Sequence, residues 1–215
     1  KVLITANIEY LGTKEVLTLK ITNSALAIIP FSTNAESYKI TEIENAKKIV
    51  KTYSDSNYIV IATFHGGKEG KNARRTYNAD EIFLGENRGN VVKFAHSIID
   101  AGADLVIGHG PHVLRGIELY KNKLIAYSLG NFLTYGNINI TGYSGESVIL
   151  HTEFDEKSGD FIKGLLTPIR QHSPGIPYLD PKFSGVKSII ELSKSDFPDN
   201  QIIIEENGII KKIIN

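Results

Sequence analysis

The sequence predicts an α/β fold, and three observations carry that expectation. YIVIATF (58–64) and DLVIG (104–108) are short, nearly continuous apolar runs, the pattern of strands covered on both faces. Between them Val91, Phe94, Ala95, Ile98 and Ile99 recur at helical spacing. Strand, helix, strand in this order is a βαβ unit, so the two strands should lie parallel in one sheet with a right-handed crossover.

The remaining elements follow along the chain. EVLTLKIT (15–22) and ALAIIPF (25–31) are β-rich and meet at Asn23-Ser24, which predicts a hairpin. Thr41 and Glu44 have the spacing of a capping box. Ile43, Ala46, Ile49, Val50 and Tyr53 then share one face, so a helix is expected over 42–53. After the strand at 58–64, residues 66–85 show no periodicity and carry four glycines with Lys68, Lys71, Arg74 and Arg75. A loop of this length inside a domain is usually functional or mobile. The next helix is predicted over 87–100, with Gly102 as its stop.

LRGIELY (114–120) and LIAYSL (124–129) flank Lys121-Asn122-Lys123 as a second hairpin. Residues 136–147 form a Gly/Asn-rich loop. SVILHTEF (147–154) and FIKGLLTPI (161–169) bracket Ser158-Gly159 as a third hairpin. His172 to Pro181 holds three prolines and is expected to be an exposed connector. A short helix near 184–194 and a hairpin about Asn207-Gly208 close the chain.

Composition narrows the chemistry. The 215 residues are 41% hydrophobic and 22% charged, a globular balance with enough apolar surface for a real core. Basic and acidic residues number 24 each, so net charge gives no support to a nucleic-acid partner. The absence of cysteine excludes disulfides and thiolate sites, leaving His, Asp, Glu, Asn or water to hold any metal. There is no 18-residue apolar run and no signal-like start. The chain opens on Lys1 and contains no methionine, which reads as a processed product or a fragment.

Three apolar strands each run into a polar cluster. The first ends at His65 with Glu69 four residues on, the second at His109 and His112, the third at Gly130-Asn131. Ligands of parallel α/β sheets bind beyond the carboxyl ends of the strands, so these residues should share one edge. Neutral imidazoles ligate zinc, manganese or iron, and His65, His109 and His112 are the candidate ligands. One or two such ions would polarise a phosphoryl or acyl oxygen. The competing reading is that each histidine is a solvated turn residue. Glu69 is a candidate ligand, orienting partner or general acid, and Asn131 a candidate orienting group or turn cap. Lys68, Lys71, Arg74 and Arg75 could hold an anionic substrate over the site, although most such charge runs are simply solvated. Gly108-His109-Gly110 is discounted as a dinucleotide fingerprint because hairpin-like sequence follows it, and Ser128 lacks the nucleophile-elbow pattern. His96, His151 and His172 receive no role.

Together FHGGKEG (64–70), GADLVIGHGPHVLRGIELY (102–120) and LIAYSLGNFLTYG (124–136) resemble the CapA family of bacterial poly-γ-glutamate capsule synthesis proteins. The family pattern runs H-W-G-x-E, then G-A-D-x-V-I-G-x-H-P-H-V, then Y-S-L-G-N-F. His65, Gly67 and Glu69 match the first part, and Gly108, Pro111 and His112 the second. His109 matches the related phosphatase pattern G-H-x-H, and Ser128, Gly130, Asn131 and Phe132 match the third part. The likeness is specific over 58–136 and looser over 15–57 and 147–170. Gly66 replaces the usual tryptophan and Gly110 a middle histidine. The family's early Asp, Asn-Leu-Glu and Asn-Asn-His segments have no counterpart here, Asn34 and Glu36 being the nearest candidates at the wrong spacing.

The resemblance implies a metallophosphatase-like two-sheet sandwich flanked by helices, of which this chain would be the C-terminal portion. Residues 1–170 would form the CapA-like domain, with 171–215 an extension packed on it. The metal site, with His65, His109 and His112 as ligands and Glu69 and His109 as catalytic groups, would be incomplete without an upstream segment or a protein partner. Lys68, Arg74, Arg75 and Asn131 would contact substrate. Two functions follow: a metal-dependent hydrolase acting on a phosphoester or surface polymer, or a non-catalytic protein that binds and helps assemble or export an anionic polymer. The expected location is the bacterial cell envelope outside the cytoplasm, with membrane attachment only through an N-terminal anchor outside this sequence.

Overall fold

The computed structural model describes residues 13–21, 24–136 and 138–213. Asn23, at the centre of the first expected turn, lies outside them, but its flanking strands pair as expected. β1 (Leu17–Ile21) runs antiparallel to β2 (Ser24–Ser32), with Ile21 opposite Ser24. β3 (Tyr38–Lys39) lies parallel to the end of β2. Helix α1 (Ile43–Ser54) leads into β4 (Ile59–His65). A two-residue-strand hairpin, β5 (Ile82–Phe83) with β6 (Glu86–Asn87), precedes α2 (Val91–Asp100) and β7 (Leu105–His109). β8 (Ile117–Tyr120) and β9 (Lys123–Ala126) form the second hairpin.

These strands make a seven-stranded sheet in the order β1-β2-β4-β7-β9-β8, with β3 beside β2. Its centre, β2-β4-β7-β9, is parallel. The strands alternate between two cores because successive side chains leave opposite faces. Val60, Ala62 and Phe64 pack with Phe94, Ala95 and Ile98 of α2 and Ala46 and Val50 of α1. Ile61, Leu105 and Ile107 belong to the opposite core. His65 and His109 continue that second parity, at the strand ends where the apolar layer stops.

The opposite core is closed by a second sheet. β10 (Glu146–Phe154), β11 (Phe161–His172), β14 (Ile209–Lys212) and β13 (Ile202–Ile204) are ordered β10-β11-β14-β13, and β12 (Ile176–Leu179) also pairs with β11. Val148, Leu166 and Ile210 from this sheet meet Leu105, Leu124 and Ala126 from the first, with Val186 and Ile189 of α3 (Ser184–Asp196) filling the layer. Fully burying each such aliphatic side chain contributes about 1.5–3 kcal/mol before the entropy of ordering it. The fold is therefore α/β, with helices on one face of the parallel sheet and a second sheet plus a helix on the other.

Several local expectations are corrected. The Thr41/Glu44 capping box does not form: Glu42 occupies the cap, one residue after Thr41, so the threonine hydroxyl is out of register, and Glu44 pairs with Lys47 at 3.1 Å. Helix α2 begins at Val91 rather than 87, because residues 86–87 pair in β6 and Asn90 caps the helix by accepting from the Lys93 amide at 2.9 Å. The proline-rich connector is partly a strand. Pro177 sits opposite Gln171 in β12, which among the described residues pairs only with β11, an edge position where a missing donor is tolerated. Residue 170 itself lies within β11, and α3, β13 and β14, from the extension expected over 171–215 to pack on the same domain, contribute to the second core.

Candidate metal centre

Parallel pairing of β4 and β7 sets His65 opposite His109. The ladder extends one step further, since the Gly66 amide donates to the His109 carbonyl at 2.9 Å. Two strand ends this close leave no room for a side chain at the turn. Gly110 has φ +125°, and a Cβ there would lie 2.5 Å from the Gly66 carbonyl oxygen. After Pro111, His112 adopts φ 57°, a left-handed conformation uncommon for a residue with a side chain. The turn brings the His112 ring back to His65, with centroids 5.8 Å apart and planes at 68°.

His65, Glu69 and His112 each offer one donor atom, and these atoms lie within 4.8 Å of one another. Glu69 Oε2 is 3.9 Å from His112 Nε2. Both groups are held from behind. Asn131 Nδ2 donates to the carbonyls of His112 (3.0 Å) and Ser144 (3.2 Å), which makes its Oδ1 an acceptor. His112 Nδ1 is 2.7 Å from that Oδ1 and must carry the proton, so the Nε2 lone pair is the one presented to Glu69. Glu69 Oε1 accepts from Arg88 Nη2 at 2.8 Å, and Arg88 Nη1 donates to Glu86 at 2.9 Å.

Burial, then the Arg88 and His112 charges, push the His65 pKa down against the opposing pull of Glu69. Burial, then His65 and His112, lower that of His109. Both rings are therefore neutral near pH 7, the form in which imidazole ligates a metal. Two imidazoles, one fixed in tautomer, and a carboxylate held with one oxygen forward match the donor chemistry of a zinc, manganese or iron site.

The sequence expects His65, His109 and His112 as ligands. The converging donors are those of His65, Glu69 and His112. His109 stands one strand over, opposite His65 in register, whereas the turn at 110–112 brings the His112 ring back to His65 and its Nε2 to 3.9 Å from Glu69. His109 instead lines, with His65, Thr63, Ser32, Asn34 and Ser37, a cavity of about 390 Å³ beyond the ends of β2 and β4. A second cavity of about 400 Å³ is lined by Glu69, Lys71, Phe83, His112, Ile138 and Asn139 among others.

The basic loop is not arrayed over the histidines. Arg75 pairs with Asp196 at the end of α3, and the Thr76 amide donates to the same carboxylate at 2.8 Å. The Arg74 guanidinium lies 3.6 Å from the Tyr143 ring centroid and 3.8 Å from Glu191. These contacts turn both arginines toward α3 and the 142–145 turn. Lys68 is exposed, its backbone amide donating to Glu81 at 2.9 Å. Lys71 is the basic residue of this run that lines a cavity shared with Glu69 and His112. Asn131 orients His112. Arg88 was not singled out by the sequence: an arginine in a polar loop carries no pattern, and its partner Glu69 lies 19 residues away.

No helix among the described residues is long and apolar enough to cross a membrane. Comparison with known proteins matches residues 14–135 to the family described as bacterial capsule synthesis protein PGA_cap. The capsule biosynthesis protein CapA of Bacillus anthracis is 54% identical over 39 residues, 18% of this chain and 10% of its own length. The PGA biosynthesis protein CapA of Bacillus subtilis is 54% identical over 41 residues, 19% of this chain and 11% of its own. A probable polyglutamine synthesis accessory protein of Mycobacterium tuberculosis is 39% identical over 82 residues, 37% of this chain and 22% of its own. The chain thus spans less than a quarter of the length of these relatives. The family match runs from the residues just before β1 to just past Asn131 and includes His65, Glu69, His109 and His112, and the chain belongs to the PGA_cap family of bacterial capsule synthesis proteins.

Proposed function

We propose that this chain is a CapA-like protein of capsule or poly-γ-glutamate biosynthesis with a metallophosphatase-like metal site, in which His65, Glu69 and His112 hold a divalent cation. The observation that carries the reading is the convergence of three donor atoms within 4.8 Å, with His112 Nε2 left free by the Nδ1 bond to Asn131. A bound zinc, manganese or iron ion would supply Lewis acidity toward a phosphoryl or acyl oxygen. The protein's own groups would do the rest. Arg88 holds Glu69 in place. His109, neutral and outside the donor set, faces the cavity beside His65 and is placed to take or give a proton there. Lys71 and Asn139, across from His112, would bind an anionic substrate, with Phe83 and Ile138 against its apolar parts. On this reading the protein works in the cell envelope, on a phosphoester or an anionic surface polymer.

The second reading is a non-catalytic protein that binds such a polymer during assembly or export. It is favoured by the cluster's single carboxylate, which offsets little of a two-ion charge, and by the word "accessory" in the name of the mycobacterial relative. Metal content separates the readings at the first step. Elemental analysis of chelator-free protein should give near-stoichiometric metal that His65→Ala/His112→Ala loses. Metal-loaded protein that hydrolyses neither a phosphoester nor the polymer, yet binds the polymer, would decide for the second reading. A wild-type protein that takes up no metal overturns the first.

A further inference from the structure

Asn131 holds His112, and its own position needs an explanation. It lies in the crossing between the sheets, after β9 and before β10, where Gly130 bridges to Ser147. The Gly130 bridge and the Asn131 side-chain bonds hold it from one side, and Gln171, near the end of β11, bonds its backbone from the second sheet.

Gln171 is 5% exposed. Its Nε2 donates to the Asn131 carbonyl at 2.7 Å. Its Oε1 accepts from the Thr134 amide at 3.1 Å and the Thr134 hydroxyl at 2.7 Å. The orientation of this amide is forced, because the Thr134 amide can only donate and the Asn131 carbonyl can only accept. One side chain from the second sheet therefore spans the Asn131–Thr134 segment of the loop leaving the first. The β11–β12 connection adds a backbone bond, from the Gly136 amide to the Pro174 carbonyl at 2.8 Å.

We propose that Gln171 is a positioning residue for the metal centre. It fixes the backbone of Asn131, and the Asn131 side chain fixes the tautomer and ring direction of His112. The relay is continuous: Gln171 Nε2 to the Asn131 carbonyl at 2.7 Å, then Asn131 Oδ1 to His112 Nδ1 at 2.7 Å. The first link is buried and the second partly buried, and a displaced group in the buried link finds few alternative partners. Gln171 also lies beyond residue 135, where the family match ends, so the C-terminal part of the chain serves the site rather than only enlarging the core. The effect on a bound ion rests on the metal-site reading above, but the effect on the His112 ring does not.

The test uses the full chain and two measurements. One is zinc affinity by chelator competition. The other is the NMR signature of the His112 ring nitrogens in metal-free protein. Gln171→Glu keeps the acceptor for Thr134 but removes the donor to Asn131. Thr134→Val removes only the hydroxyl contact and serves as a loop-stability control. Loss of an orienting partner typically weakens metal affinity about 10–100-fold. Gln171→Glu should show a loss in that range and move the His112 ring signals toward a mixture of tautomers, while Thr134→Val leaves both near wild type. If Gln171→Glu does not fold, Gln171→Met, similar in length and without either polar atom, is read by the same ring signals. Unchanged His112 signals in the folded variant overturn the proposal. So does a Thr134→Val variant that matches Gln171→Glu in both readouts, since Gln171 would then be a loop staple. If wild-type protein binds no zinc, the metal reading fails, and the ring signals of metal-free protein still decide the role of Gln171.

Discussion

Arg115 and Glu81 form a two-pronged ion pair that ties down the loop carrying Glu69, with Nη1–Oε1 at 2.7 Å and Nη2–Oε2 at 2.6 Å. The Arg115 side chain is 1% exposed, and its Nε donates to the Ala73 carbonyl at 2.7 Å. Glu81 accepts in addition from the Lys68 amide at 2.9 Å. One arginine thus gathers three points of the long 66–85 loop, which has little regular structure to shape it.

Removing one partner of this pair should cost far more than removing both. Glu81→Ala would leave a buried guanidinium uncompensated, a loss of about 3–5 kcal/mol. Arg115→Met with Glu81→Leu should recover much of that loss, because no buried charge remains. Urea unfolding of the three proteins checks this. A Glu81→Ala variant within about 1 kcal/mol of wild type would mean that the pair is solvated rather than buried.

A separate prediction concerns alkaline pH. Burial, then the Glu118 charge and the bond to it, raise the Tyr127 pKa well above 10.0. Tyr127 donates to Glu118 Oε2 at 2.7 Å and stacks on Phe197. In the unfolded chain the phenol ionises near its ordinary value, while in the folded chain it stays protonated. The folded state therefore binds more protons above about pH 10, and stability falls as pH rises through that range. Below that value the group adds no pH dependence. Tyr127→Phe should flatten the decline, as read from unfolding midpoints between neutral and alkaline buffer. A variant that declines as steeply as wild type would place the alkaline sensitivity elsewhere.

What could be read from the sequence, and what could not, divides along physical lines. The strands at 58–64 and 104–108 were legible because a strand buried on both faces has to be apolar throughout. Their pairing put His65 and His109 on one edge. That His112 rather than His109 joins His65 and Glu69 depends on one left-handed residue after a glycine turn, which residue types alone do not encode. The partnerships Arg88–Glu69 and Arg115–Glu81 link residues far apart in sequence, and each member by itself has the look of a solvated loop charge. β12 was missed because proline speaks against strands, a rule that weakens at an edge.

The glycine turn is open to a direct test. Gly110 and Gly70 both have positive φ, +125° and +101°. A Cβ at Gly110 would meet Gly66 backbone atoms at 2.5 and 2.8 Å, whereas one at Gly70 would meet nothing within 4 Å. Gly70→Ala should pay only for its backbone conformation, about 1–3 kcal/mol. Gly110→Ala should cost more and should also reduce metal uptake, since relieving the clash pushes the His112 turn away from β4. Denaturant unfolding and metal titration of the two variants provide the comparison. Equal losses in both would show that the close approach of the strand ends does not constrain the turn.

Single-histidine variants separate the roles of His109 and His112 most sharply. If His65, Glu69 and His112 are the donors, His112→Ala removes one of three ligands and should abolish stoichiometric zinc or manganese. His109→Ala removes a neighbour that lines the adjoining cavity, so bound metal should persist with affinity changed less than tenfold, an effect below about 1.4 kcal/mol. Any hydrolytic activity should fall in both variants, but for different reasons: with the metal in His112→Ala, and with metal still bound in His109→Ala. Elemental analysis beside a turnover assay on the same samples distinguishes the two. Loss of metal in His109→Ala equal to that in His112→Ala would return His109 to the ligand set and require His65 and His109 to share an ion along the strand ends.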